Sequence, residues 1–156
     1  MIEPTLGAVL ASGISAVLLG YIWYHPKVFG IAWMNMSGMT PEMQERGKKR
    51  MPFMAVIALL AAMLVAYVMS YVSAAWGFFD WRGALQLGFW CWAGFIAPIL
   101  LGSVLWEQKP FRLYLINALY WLLVLLIMAQ FIVFAYGLEY SMYLGDSAAI
   151  GGYGLE

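Results

Sequence analysis

The stretch that decides the fold is LYLINALYWLLVLLIMAQFIVFAYGL, residues 113–138, which contains no charged side chain. A helix that crosses a bilayer needs about 20 apolar residues, because the hydrocarbon core is roughly 30 Å thick and each residue adds about 1.5 Å. Residues 6–24, 52–76 and 83–106 form three further uncharged stretches that meet or nearly meet this length. The sequence therefore predicts an all-α integral membrane protein with four transmembrane spans.

The composition indicates the same class of protein. Hydrophobic residues make up 65% of the 156-residue chain and charged residues only 10%, whereas a soluble domain carries about 25% charged residues. A soluble protein of this size could not bury so much apolar surface in one core. The formal net charge of zero argues against a nucleic-acid partner, which would require a basic face. The partner that the composition requires is the lipid bilayer.

The positions of the basic residues predict how the chain crosses the membrane. Seven of the eight Lys and Arg residues lie in the first and third connections between spans, and only Arg82 lies in the second. Because cytoplasmic loops carry an excess of Lys and Arg, we expect those two connections in the cytoplasm and both termini outside. The seven residues are Lys27, Arg46, Lys48, Lys49, Arg50, Lys109 and Arg112.

A helix start is predicted within the first connection. Thr40, Pro41 and Glu42 provide a capping hydroxyl, a proline for the first turn and an acid near the positive end of the helix. This helix should run through residues 46–50 toward the second span. Pro52 is expected to kink or break it at the membrane surface.

The segment before that helix has an aromatic face. Phe29, Trp33 and Met36 fall at i, i+4 and i+7, and Lys27 lies beside them. This pattern predicts a segment in the cytoplasmic interface, with an apolar loop packed on the bundle as the alternative. The predicted fold is a four-helix membrane bundle with a short cytoplasmic interfacial helix between its first and second spans.

Small residues recur at every fourth position in the first two spans, which predicts close helix packing. Lipid tails are as apolar as leucine, so membrane helices associate where small side chains let two backbones approach. The two rows form either the contact between spans one and two or a subunit interface. Their members are Ala8, Ser12, Ala16 and Gly20 in span one, and Ala58, Ala62, Ala66, Ser70 and Ala74 in span two.

The third span is irregular, and the uncharged polar residues of the last two spans are candidates for a cavity. Pro98 cannot donate to the carbonyl of Gly94, so a kink is expected there. An amide left unpaired in hydrocarbon is costly, so each amide should face another helix or a wet cavity that holds a neutral solute. The candidate cavity-lining residues are Gln86, Trp90, Trp92, Asn117 and Gln130.

Ionisable chemistry is confined to the ends of the spans. The span interiors hold no Asp, Glu, Lys, Arg or His, although ion-coupled transporters usually need one. His25 ends span one and Glu107 ends span three on the same side of the membrane. A pair there would favour the charged imidazole and respond to pH. The alternative is that both residues only mark where the helices meet water.

The sequence contains no arrangement typical of an enzyme. His25 and Glu107 would provide only two ligands, which is too few for a metal site. No nucleophile motif and no phosphate-binding loop occurs in the chain. We therefore expect no catalytic residues, no metal and no cofactor.

Several motifs resemble one family of small bacterial membrane proteins. Residues 20–26 read GYIWYHP, residues 94–98 read GFIAP and residues 116–120 read INALY. These motifs resemble the family known as domain of unknown function 1761, over roughly residues 6–137. The resemblance implies four helices, a bacterial inner membrane and no assigned activity.

These observations lead to two functional hypotheses. The first is a bundle without catalytic activity that self-associates or serves as an accessory subunit of a larger membrane complex. The alternative is a pore or carrier for a neutral or hydrophobic small molecule, lined by the third span and the amides. Residues 139–156 are expected to form an outward-facing Gly-rich tail, because few of them can contribute to a packed core.

Overall fold

A computed structural model describes the backbone of residues 5–151 and the side chains of residues 5–138. Two short π-helical turns, Pro26–Gly30 and Trp92–Ile96, interrupt the α-helices. Within the described backbone there are no strands, so the all-α prediction is confirmed. The helices are α1 (Leu6–Trp23), α2 (Ile31–Ser37), α3 (Pro41–Trp76), α4 (Trp81–Cys91), α5 (Ala97–Leu105) and α6 (Phe111–Gly151).

Four helical segments are long and apolar enough to cross a bilayer, as predicted. They are Leu6–Trp23, Pro41–Trp76, Trp81–Leu105 and Phe111–Leu138. The third consists of α4, the second π-helical turn and α5. Helix α6 continues beyond this span to Gly151, within the segment predicted as a tail, while residues 152–156 lie outside the described residues.

Helix α3 begins as predicted but is longer than expected. The hydroxyl of Thr40 caps it by accepting the backbone N–H of Met43 at 3.3 Å. The predicted break at Pro52 is absent, because α3 is one helix from Pro41 to Trp76. Pro52 removes only the donor to the carbonyl of Lys48, where the chain is exposed and water can bind instead. The short helix between the first two spans is therefore α2.

Helix α6 lies at the centre of the bundle and packs against α1, α3 and α4. The α4 contact is close because position 88 is glycine. A Cβ added there would lie 2.9 Å from the carbonyl oxygen of Leu125 and 2.9 Å from the Cα of Leu126. The buried residues along this part of α6 are Val124, Leu125, Met128, Ala129, Ile132, Val133 and Tyr136.

The two predicted rows of small residues lie mainly inside the single chain. Ser12, Ala16, Ala62, Ala66 and Ser70 are buried, Ala8, Gly20 and Ala74 are half-buried, and Ala58 is exposed. Both rows contact α6 as well as each other's helices. The Ser12 hydroxyl donates to the Met128 carbonyl at 3.4 Å, and the Tyr136 hydroxyl donates to the Ser70 carbonyl at 3.0 Å. Packing within one chain therefore accounts for most of these small residues.

The tightest approach of α1 to α3 occurs at a residue outside the predicted rows. A Cβ added to Gly13 would lie 2.7 Å from the Cγ of Met63 and 3.1 Å from a methyl carbon of Leu59. Close approach at Gly13 follows the rule that small residues let membrane helices meet. On the side of Gly13 toward Trp23, the space between the two helices contains the cavity described below.

Candidate ligand-binding cavity and its aromatic wall

Asn117 on α6 joins the ends of α1 and α2. Its side-chain oxygen accepts the Tyr24 hydroxyl at 3.0 Å and the indole N–H of Trp33 at 3.1 Å. The Tyr24 ring also contacts the rings of Trp33 and Tyr120, with centroids 5.5 Å and 5.2 Å away. These residues form an aromatic cluster around one amide, which we call the Asn117 cluster.

Two further hydrogen bonds hold the end of α1 against α6 and the first connection against the third. The indole N–H of Trp23 donates to the Ile116 carbonyl at 3.1 Å. The Lys109 ammonium donates to the Ser37 carbonyl at 3.2 Å. The Trp23 ring packs on Phe29 with centroids 4.6 Å apart. The first and third connections therefore lie at the same end of the bundle.

His25 has a local structural role in the turn that follows α1. Its Nδ1 accepts the backbone N–H of Lys27 at 3.2 Å, and its carbonyl accepts the N–H of Gly30 at 3.0 Å. A Cβ at position 30 would overlap the Tyr24 carbonyl oxygen, so the turn requires glycine there. The HPKVFG sequence thus reverses the chain and brings α2 back toward α6.

The structure does not bring together the predicted pair of His25 and Glu107. Among the side chains of residues 5–138, the one ion pair joins Lys48 and Glu45, at 2.8 Å. Glu107 is exposed in the link that follows α5. The sequence placed the two residues at the same depth, but it could not show how far apart around the bundle they lie. No group of three or more His, Cys, Asp or Glu residues in the described chain could hold a metal ion.

A cavity with a volume of about 740 Å³ lies between α1, α3 and α6. It begins beside Ala16 and Ala62 and extends toward His25 and Met51. Its exposed lining residues leave one side open, and Tyr21 is 70% exposed there. The lining residues are Ala16, Val17, Gly20, Tyr21, Tyr24, His25, Pro26, Met51, Met54, Ala55, Ala58, Ala61, Ala62, Val65, Tyr120 and Trp121.

One wall of this cavity is anchored by the residues of the Asn117 cluster. The Tyr120 hydroxyl donates to the Ala16 carbonyl at 3.2 Å, which fixes the ring between α6 and α1. A Cβ at Gly20 would lie 3.0 Å from that hydroxyl oxygen. Tyr24 faces the cavity and is held by Asn117 at its far end. These hydrogen bonds set the orientation of both rings in the wall.

The residues predicted to line a cavity lie elsewhere. Gln86 and Trp90 are exposed on α4, and the Trp92 indole N–H donates to the Ala118 carbonyl at 2.7 Å. The Gln130 amide donates to the Trp81 carbonyl at 3.3 Å and borders a smaller cavity of about 300 Å³. Asn117 supports the wall of the 740 Å³ cavity without lining it. Of the five, Gln130 alone lines one of these two cavities.

Sequence reasoning missed the cavity-lining residues on all three helices. Tyr21 and Tyr24 lie within the GYIWYHP motif, and Tyr120 closes the INALY motif. The available signal that they meet in space was the presence of tyrosine in two separate motifs. Of the exposed alanines of α3, Ala58 was assigned to a helix-packing row, and Ala61 carried no signal because alanine is common in membrane helices.

Many residues of the cavity and of the Asn117 cluster belong to the motifs GYIWYHP and INALY, which carry the family resemblance. Comparisons with curated proteins and with solved structures find no match. A family model matches residues 7–133, from the start of α1 to near the end of the fourth span. The chain belongs to the family described as Protein of unknown function (DUF1761).

Proposed function

We propose that this protein is a multi-pass protein of a bacterial cytoplasmic membrane that binds a hydrophobic small molecule without catalysing a reaction. The cavity between α1, α3 and α6 carries this proposal. Its volume of about 740 Å³ lies within the roughly 300–1,000 Å³ typical of ligand sites. Its walls are mainly Ala, Val and Met side chains, with aromatic rings from α1 and α6 on one side. Such a lining suits an apolar ligand.

The open side of the cavity indicates where the ligand enters. Ala58, Ala61 and Met54 line the cavity and are also exposed on α3. All three lie in the apolar part of the second span, where the length and composition of the helix favour lipid surroundings. We therefore infer that the ligand enters sideways from the bilayer. This route requires no charged side chain within the spans, in agreement with their composition.

The orientation of the chain forms part of the proposal. The first and third connections share one end of the bundle, where Lys109 contacts Ser37. These connections contain seven of the eight basic residues, so the positive-inside rule favours a cytoplasmic location for that end. The cavity then opens near the cytoplasmic leaflet, and both termini face outward.

Cysteine labelling tests this orientation. On a Cys91-free background, Gly47→Cys and Trp76→Cys introduce thiols at exposed positions at opposite ends of α3. An impermeant thiol reagent applied to intact spheroplasts should label position 76 and leave position 47 unlabelled until the membrane is permeabilised. Labelling of position 47 but not position 76 in intact spheroplasts would reverse the assigned topology.

A cavity-filling variant tests ligand binding. Ala58→Phe adds a ring within the cavity, so photolabelling of α1 and α3 by a photoactivatable long-chain alcohol should fall about tenfold. Ala75→Phe is the matched control, because Ala75 is exposed on the same helix and does not line the cavity. Labelled peptides are identified by mass spectrometry after digestion. Equal labelling of the cavity peptides in both variants would contradict the proposed site.

Self-association, or membership of a larger membrane complex, is a second candidate function. The hydroxyls of Tyr67 and Tyr71 are hydrogen-bonded to each other at 2.9 Å, and the two side chains are 44% and 41% exposed on α3. A pair of polar side chains on a lipid-facing surface is more stable where a second helix can form hydrogen bonds with it. The mass of the particle extracted in a native-membrane polymer, in wild type and in Tyr67→Phe/Tyr71→Phe, distinguishes a monomer from an assembly.

A further inference from the structure

We infer that the occupant of the cavity is a membrane phospholipid with an anionic headgroup. One acyl chain would lie between α1 and α3, and the phosphate would face the basic residues beside His25 and Met51. This inference rests on the proposed function and specifies its ligand class. Three observations carry it: a polarity gradient along the cavity, a set of donors at one end, and the distribution of charge around that end.

The cavity changes from apolar to polar along its length. The end near the middle of the membrane is formed by Ala16, Ala62 and Val65, where the Tyr120 hydroxyl is already bonded to the Ala16 carbonyl. The other end is formed by Tyr21 and His25, together with Pro26 and Met51. From residue 16 to its end at residue 23, α1 rises about 11 Å, so the lining extends through much of one leaflet. A gradient of this kind matches an amphiphile whose chain points into the membrane and whose headgroup lies at the interface.

The polar end presents hydrogen-bond donors. Because Nδ1 of His25 accepts the Lys27 N–H, the proton of a neutral imidazole is on Nε2. That nitrogen is a donor in either protonation state of the ring. The Tyr21 hydroxyl lies on the same helix one turn earlier, and the two rings are in edge contact with centroids 6.3 Å apart. Phosphate oxygens are acceptors, which such donors would bind.

Basic residues lie close in sequence to the lining residues at this end, one in the turn after α1 and one in α3. Lys27 is exposed two residues after His25. Arg50 is exposed one helical turn before Met54, on the face of α3 that continues to Ala58 and the cavity. None of the cavity-lining residues is acidic. The two connections at this end contain seven basic and three acidic residues, so the surrounding charge also favours an anion.

Charge and apolar volume together select a lipid over other ligands. A soluble anion would use the basic residues but leave the apolar cavity unfilled. A neutral lipid would fill the cavity but gain nothing from Lys27 and Arg50. An anionic phospholipid uses both features, and each basic residue near the membrane surface is expected to strengthen its binding about fivefold.

Native mass spectrometry of the full chain in a neutral detergent tests the headgroup. The probes are phosphatidylglycerol and phosphatidylcholine with identical oleoyl chains. Wild type should retain one phosphatidylglycerol, bound at least about tenfold more tightly than phosphatidylcholine. Lys27→Gln/Arg50→Gln should abolish this preference. Lys49→Gln/Arg112→Gln should keep it, because it removes the same charge from the same end at residues that do not flank the cavity.

The same assay on Ala58→Phe and Ala75→Phe tests where the acyl chain binds. Ala58→Phe should lose both lipids, and Ala75→Phe should bind them as wild type does. Equal binding of the two lipids by wild type, with both lost in Ala58→Phe, would overturn the anionic headgroup and leave the proposed function intact. No effect of Ala58→Phe on either lipid would overturn both proposals.

Two further outcomes complete the test. Displacement of the lipid by glycerol phosphate at equal concentration would identify a free anion as the ligand and overturn the inference. An equal loss of preference in the two double variants would attribute binding to general surface charge and overturn it as well. Arg50→Lys keeps the charge and should keep the preference, so it serves as the check that loss in the Lys27→Gln/Arg50→Gln variant does not reflect misfolding.

Discussion

Gly88→Ala is expected to lower the free energy of unfolding by about 2–3 kcal/mol, because it forces α4 away from α6. The added Cβ would lie 2.9 Å from both the Leu125 carbonyl oxygen and the Leu126 Cα. These are backbone atoms of the central helix, so neither can move aside as a flexible side chain would. The unfolding free energy is measured by titrating the detergent-solubilised protein with a denaturing detergent.

Gly94→Ala is the matched control for this prediction. Gly94 lies in the same span, and a Cβ added there would meet nothing within 4 Å. Alanine restricts the unfolded chain more than glycine does, so this variant should be as stable as wild type or slightly more so. Similar destabilisation by the two substitutions would show that the α4–α6 contact is not the cause.

Asn117→Leu is expected to lower the unfolding free energy by about 2–4 kcal/mol. Its side-chain oxygen accepts hydrogen bonds from the Tyr24 hydroxyl and the Trp33 indole N–H. Leaving a donor unpaired away from water costs about 1–3 kcal/mol, and this substitution leaves two. Because Trp33 is on α2, that helix should also detach from α6. Hydrogen exchange of residues 31–37 should therefore become faster in the variant.

Two substitutions control for this second prediction. Asn35→Leu makes the same chemical change at an exposed position on α2 and should leave stability near the wild-type value. Asn117→Asp retains an acceptor oxygen for the two donors and should retain more stability than Asn117→Leu. Equal exchange rates for α2 in wild type and Asn117→Leu would mean that the Asn117 cluster does not hold this helix.

The elements that could be predicted are those that depend on local properties of the chain. The four spans follow from hydropathy over about 20 residues, because any shorter helix would leave polar backbone in hydrocarbon. The start of α3 follows from Thr40, whose hydroxyl replaces a missing backbone acceptor within three residues. The irregularity of the third span follows from Pro98, which lies two residues after the end of a π-helical turn.

The continuity of α3 shows where such local reasoning goes wrong. A proline inside a helix leaves one carbonyl without its donor, and the sequence predicts a break if that carbonyl has no substitute. At Pro52 the affected carbonyl is that of Lys48, which lies in an exposed turn of the helix. Solvent access decides whether the missing bond is tolerated, and access depends on the depth of the helix end in the membrane.

The sequence by itself determined the class of protein, the number of spans and the end of the bundle that carries the positive charge. Each of these depends on the transfer of residues from water to lipid, which is a property of composition over short stretches. The tertiary structure alone decided that α6 is central, that Asn117 joins α1 to α2, and that a cavity lies beside Tyr24. Lipid and protein neighbours are equally apolar, so hydropathy cannot indicate which face of a membrane helix meets another helix. Close approach at single residues such as Gly13 and Gly88 determines which helix faces meet. These contacts can be identified only from the tertiary structure.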